Sequence, residues 1–162
     1  MDPLQYLATY LDDHRAGATG GTRLARRIWR SNRNTTWGPQ LEELADAIER
    51  DRTVLEQVRE AAGISGGDLK QFGALVIEQV ARLKPNRHIL TYSPLSRVLE
   101  LESLMSGVQA KQRLWAVLRL AVPLQPEWSQ FDFEALERQG HTQLDRLGQI
   151  HEWAVAEMMN SD

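Results

Sequence analysis

Apolar residues recur along the first segment of this chain at alternating three- and four-residue steps: Leu4, Leu7, Leu11, His14, Ala18, Gly21, Ala25 and Ile28. That spacing lines one face of an α-helix. A histidine stands in the middle of the face, where a leucine would be ordinary. The pattern predicts five helical segments. The first runs from about Pro3 to Arg30, with Asp2 as N-cap and Pro3 at the first helical position. The second starts near Pro39 and stops at Gly63, with Leu41, Leu44, Ile48, Asp51, Leu55, Val58 and Ala62 facing inward. A shorter third segment spans about Asp68 to Lys84. The fourth opens at Ser93-Pro94 and runs to about Ala121, and the fifth covers Phe133 to Met158 with Asp132 as its cap. No alternating run bounded by turn residues marks a strand.

This pattern predicts an all-α fold: one domain over residues 1–162, an antiparallel four-helix bundle with a shorter additional helix between its two hairpins. At 1.5 Å per residue the long helices span roughly 36–42 Å. The fourth segment is apolar around most of its circumference, through Leu95, Val98, Leu99, Leu101, Leu104, Met105, Val108, Leu114, Trp115, Val117 and Leu118. Such a helix is enclosed or meets another chain, which raises a homodimer. Gly17, Gly20 and Gly21 crowd the first helix among alanines. Each glycine costs up to about 1 kcal/mol relative to alanine, so close approach of another backbone is expected there, the alternative being a helix softened for a kink.

Composition narrows the chemistry. The chain has 162 residues and no cysteine, which excludes disulfides, thiolate catalysis and Cys-ligated metals. A net charge of −3 gives no overall attraction to nucleic acid or to an anionic membrane, and neither is expected as a partner. Met1-Asp2-Pro3-Leu4-Gln5 lacks the basic start and apolar run of a secretory signal, so a cytoplasmic location is expected. A stripe of Arg23, Arg27 and Arg30, near Arg26, Arg33, Trp29 and Trp37, has the arginine-with-aromatics make-up of a nucleic-acid surface. The overall acidity and the lack of a binding motif favour a solvated face with favourable charge at a helix C-terminus.

Winding each helix at about 100° per residue places four ionisable groups on apolar faces: His14, Asp51, Glu102 and His151. Buried charges need partners, and a metal ion is one kind of partner. Two histidines and two carboxylates form a candidate set for zinc, iron or manganese. Axial distances put His14 level with Asp51, and Glu102 level with His151. All four share one level in an up-down-up-down bundle. If the third segment crosses the length of the bundle, the second pair moves to the other half. Structural pairing of these groups is the simpler alternative. The Glu-x-x-His motif of di-iron carboxylate bundles is missing, as are nucleophile-elbow and phosphate-loop motifs.

Four stretches resemble a set of uncharacterised bacterial helical proteins with ferritin-like bundles. They are Tyr10 to Gly21 (YLDDHRAGATGG), Ile48 to Glu56 (IERDRTVLE), Leu69 to Leu83, and Ser93 to Trp115. The resemblance covers about the first three quarters of the chain and implies a ferritin-like fold rather than an activity. The function expected from the sequence is a non-enzymatic helical bundle acting through protein–protein association. The alternative is a ferritin-like metal-binding or redox protein using the four ionisable groups.

Overall fold

The computed structural model describes residues 2–64 and 92–161, and among them the secondary structure is entirely helical. Four long helices are present: α1 (Pro3–Asn32), α2 (Gly38–Ala61), α3 (Pro94–Ala121) and α4 (Phe133–Met159). Two short 3-10 turns, Val122–Leu124 and Pro126–Gln130, join α3 to α4. The shorter helix expected over 68–84 lies outside the described residues.

The caps explain the boundaries. Asp2 accepts from Leu4 N, and Gln5 reaches back to the Asp2 amide, closing a capping box ahead of Pro3. Gly63, with φ +68°, ends α2 by a left-handed turn in which its N–H donates to Glu60 O and Ile64 N–H donates to Arg59 O. Ser93 and Asp132 accept from Ser96 N and Ala135 N, starting α3 and α4 where their sequences predict.

Ion pairs and hydrogen bonds between helices run in reversed numerical order. Asp12 pairs with Arg59, Arg15 with Glu56 at 2.8 Å, and Arg26 with Asp46 at 2.7 Å. Glu102 faces His151, Lys111 faces Gln143, and Arg119 faces Glu137. Between α1 and α3, Arg27 pairs with Glu100 at 2.8 Å, and Asn32 accepts from Arg97 Nε at 2.7 Å. The start of α3 thus lies at the end of α1. At the opposite end, Trp128 of the second 3-10 turn is buried and donates its indole N–H to Val58 O at 2.9 Å.

The apolar interior is divided in two. One cluster joins Ala25 and Ile28, Leu41 to Ile48, Val98 to Val108, and Leu147 to Ala154. The other joins Leu11, Leu55, Val58, Leu114, Trp115, Leu118, Trp128 and Phe133. On α2, α3 and α4 the interval between the two carries a polar side chain, Asp51, Lys111 or Gln143, and on α1 it holds mostly small residues.

Helix α3 is not enclosed all round. Leu101, Leu104, Leu114 and Leu118 are buried as expected, but Leu95 and Leu99 are 52% and 42% exposed and Val117 is also exposed. These three stand off the ladder that faces α1 and α4. Breadth of the apolar arc therefore overestimates enclosure, because neighbouring helices cover only part of the circumference. Arg26 and Arg27 of the basic stripe are engaged by Asp46, Glu49 and Glu100, with Arg26 also 5.8 Å from the Trp29 ring centroid.

Candidate functional site: a polar layer and the pocket beside it

Asp51 fills the interval on α2 between Ile48 and Leu55. Its position in the three-four ladder turns it inward, and it is buried. Lys111, from the matching interval of α3, is ion-paired to Asp51 Oδ2. Lys111 Nζ also donates to Gln143 Oε1 at 2.6 Å, and Gln143 Nε2 donates to Asp51 Oδ2 at 2.9 Å. Gln139 Nε2 donates to the other carboxylate oxygen at 3.0 Å. Three helices therefore meet in one hydrogen-bonded polar layer between two apolar clusters. Burial holds the Lys111 ammonium below its ordinary pKa, against the attraction of Asp51.

A cavity of about 610 Å³ opens beside this layer, walled by α1, α2 and α3. His14, Gly17, Ala18, Gly20 and Gly21 contribute from α1, and Gly107, Lys111 and Trp115 from α3. Leu24, Ile48, Leu55, Leu104, Val108 and Leu114 supply apolar walls. Among the described residues these glycines leave room and do not admit a neighbouring backbone. A Cβ built at Gly17, Gly21 or Gly107 would meet nothing within 4 Å. Contrary to the expected close packing, among the described residues no backbone packs closely against Gly17 or Gly21. Gly140 on α4 is different: a Cβ there would lie 2.5 Å from Gln112 Cγ.

His14 lines the cavity and meets Tyr10 edge-on, with ring centroids 4.5 Å apart. Burial pushes its pKa below 6.5, with Asp13 opposing that shift. The imidazole is therefore neutral at pH 7 and can donate from one nitrogen and accept at the other. Trp115 is buried between the cavity and Phe133, whose ring lies 6.3 Å from its own. Its indole N–H is buried and has no hydrogen-bond partner among the described residues.

The four residues singled out from sequence fall into two places. His14 and Asp51 share the cavity, as their axial levels require, although Asp51 turns its oxygens to Lys111, Gln139 and Gln143. Glu102 and His151 also meet, with His151 Nε2 3.1 Å from Glu102 Oε1. That pair is not inward-facing: the Glu102 side chain is 53% exposed and that of His151 25%. Each follows a ladder residue, Leu101 or Ile150, and one residue turns the side chain by about 100°. The two pairs therefore form no single cluster.

A transition-metal ion fits this donor set poorly. Among the described residues no three His, Asp or Glu side chains converge to hold one. Asp51 would have to release two amide hydrogen bonds and its ammonium partner to coordinate. Lys111, Gln139, Gln143 and Trp115 were not among the residues that sequence reasoning singled out. For Lys111 and Gln143 a signal existed: both occupy three-four ladder positions, between Val108 and Trp115 and between Gly140 and Leu147. No protein-family model, curated protein or solved structure matches this chain. Among the described residues, no helix is long and apolar enough to cross a membrane.

Proposed function

We propose that this protein is a non-enzymatic small-molecule-binding helical bundle whose working part is the pocket beside Asp51 and Lys111. The carrying observation is the set of glycines that leave space unfilled on two facing helices. Empty volume in an interior costs packing energy, and a glycine within a helix costs up to about 1 kcal/mol more. A mostly apolar cavity of this size, with a few polar groups on its wall, lies in the usual range of ligand pockets, about 300–1,000 Å³.

The proposed scaffold is an antiparallel four-helix bundle of ferritin-like connectivity. The reversed order of the cross-helix pairs supports two antiparallel hairpins, with α2 and α3 running parallel. That arrangement needs one long crossover, as in ferritin-like bundles, and not the simple up-down-up-down path. Its consequence is the separation of Glu102 and His151 from His14 and Asp51.

Amide NMR with a set of small aromatic fragments tests the pocket. Binding there moves the Gly17, Gly21 and Gly107 cross-peaks together and leaves Gly148, on the α4 surface, in place. Fragments that leave all three unmoved contradict it.

A second reading, association with another copy of the chain, is favoured by the exposed Leu95 and Leu99, which share one face of α3. Sedimentation at tens of micromolar tests it. A dimer dispersed by Leu95→Glu with Leu99→Glu supports self-association, and a monomer at every concentration removes it.

A further inference from the structure

The pocket's polar groups specify what it holds, given that it is a ligand site as proposed above. Lys111 and Trp115 stand four residues apart on α3, so they share a helix face, and both wall the cavity. An ammonium has three protons to donate. Two of those on Lys111 go to Asp51 and Gln143. The Trp115 indole is a donor only, and its N–H is buried and unpaired among the described residues. Buried donors without acceptors are uncommon, because each forfeits the hydrogen bond it made in water. The cavity wall therefore offers donor capacity on one side. Leu24, Ile48, Leu55 and Val108 give the rest of the wall its apolar area, with Arg52 and Ser106 among the polar side chains that also border it. The carboxylate of Asp51 already balances the charge of Lys111, so the wall calls for a hydrogen-bond acceptor without demanding a full negative charge.

We propose that the pocket takes a small, largely apolar molecule bearing one oxygen acceptor, a carbonyl or a carboxylate, whose oxygen is received by Lys111 Nζ and Trp115 Nε1. The apolar body lies along the leucine and glycine walls. The His14 imidazole, whose pKa burial lowers, borders the same space.

Three molecules with one bicyclic body separate the contributions: tetralin, 2-tetralone and 1,2,3,4-tetrahydro-2-naphthoate. Titrations followed at the Gly17 and Gly107 amides give their affinities. At least one oxygen-bearing molecule is expected to bind 10-fold or more tightly than tetralin. The ketone and carboxylate arms then show whether the occupant is neutral or anionic. The double variant Lys111→Met with Asp51→Leu removes the ion pair without orphaning either charge, and it is expected to bring the oxygen-bearing molecules down to the affinity of tetralin. Trp115→Phe keeps an aromatic ring, removes the N–H, and is expected to reduce the preference several-fold.

Equal binding of all three by the natural chain overturns the acceptor assignment and leaves the pocket itself standing. A preference that survives in both variants also overturns it. If none of the three binds, the assignment fails. The pocket reading falls with it only when the broader fragment set is silent as well.

Discussion

Asp51 and Glu102 both read as inward carboxylates, yet one anchors a buried layer and the other meets water. Asp51 sits on the three-four ladder and engages Lys111, Gln139 and Gln143 from two other helices. Glu102 sits one residue beyond Leu101 and shares a half-solvated contact with His151. Both belong to a pair that axial arithmetic brings to one level. What separates them is rotation by one residue, which changes the dielectric surroundings and so the strength of every interaction made there. The same turn decides whether a polar side chain can shape a cavity or merely decorate a surface.

The contrast is sharpest in the energetics. Asp51→Ala strands the Lys111 ammonium in the interior, and urea unfolding is expected to show a loss of about 3–5 kcal/mol. A loss below about 1 kcal/mol would mean that the layer is open to water. Replacing the pair together, Asp51→Leu with Lys111→Met, is expected to recover most of that loss, since apolar substitutes for a buried ion pair are frequently neutral or stabilising.

Glycine substitutions divide along the same line. Gly140→Ala forces a Cβ against Gln112 Cγ and is expected to lose about 1–3 kcal/mol by overpacking. Gly17→Ala and Gly21→Ala place a methyl group in open space, and each is expected to gain about 0.5–1 kcal/mol in thermal unfolding. Destabilisation at either of the α1 positions would mean that these glycines do meet a neighbour.

Acid titration addresses His14. Its folded pKa is lowered by burial, so below 6.5 the unfolded chain binds the proton more readily than the folded one. The stability that depends on neutral His14 is present above 6.5 and is lost as pH falls through 6.5 to the folded pKa. The stability difference between the natural chain and His14→Gln should therefore shift against the natural chain between pH 7.5 and pH 5. A difference constant over that range would place the imidazole in water. The smallest effect belongs to the surface pair: Glu102→Gln is expected to change stability by less than about 0.5 kcal/mol at pH 7. A loss above 1 kcal/mol would erase the contrast with Asp51.

Much of this molecule is legible before any coordinates. The ends of α3, the Asp2 and Asp132 caps and the Gly63 stop follow from local chemistry that acts within a few residues. The inward ladder of α2, including Asp51, follows from its period. The pocket does not, because glycine spacing alone fits both tight packing and open space, and only the position of the facing helix distinguishes them. Gly107 on α3 is what turns Gly17 and Gly21 from a packing stripe into a cavity wall. Lys111 and Gln143 were readable by the test that found Asp51: a polar residue in a ladder slot. Glu102 and His151 show the converse error, in which an adjacent residue is credited with the ladder's orientation.

Gly107→Leu tests the open pocket most directly, since it adds a side chain to the vacant space without touching the polar layer. Calorimetric titration with 2-tetralone or tetrahydro-2-naphthoate, whichever binds more tightly, should give one saturable site per natural chain and no binding to the folded variant. Equal binding by both proteins, or no binding by the natural chain, would contradict a ligand site at this place.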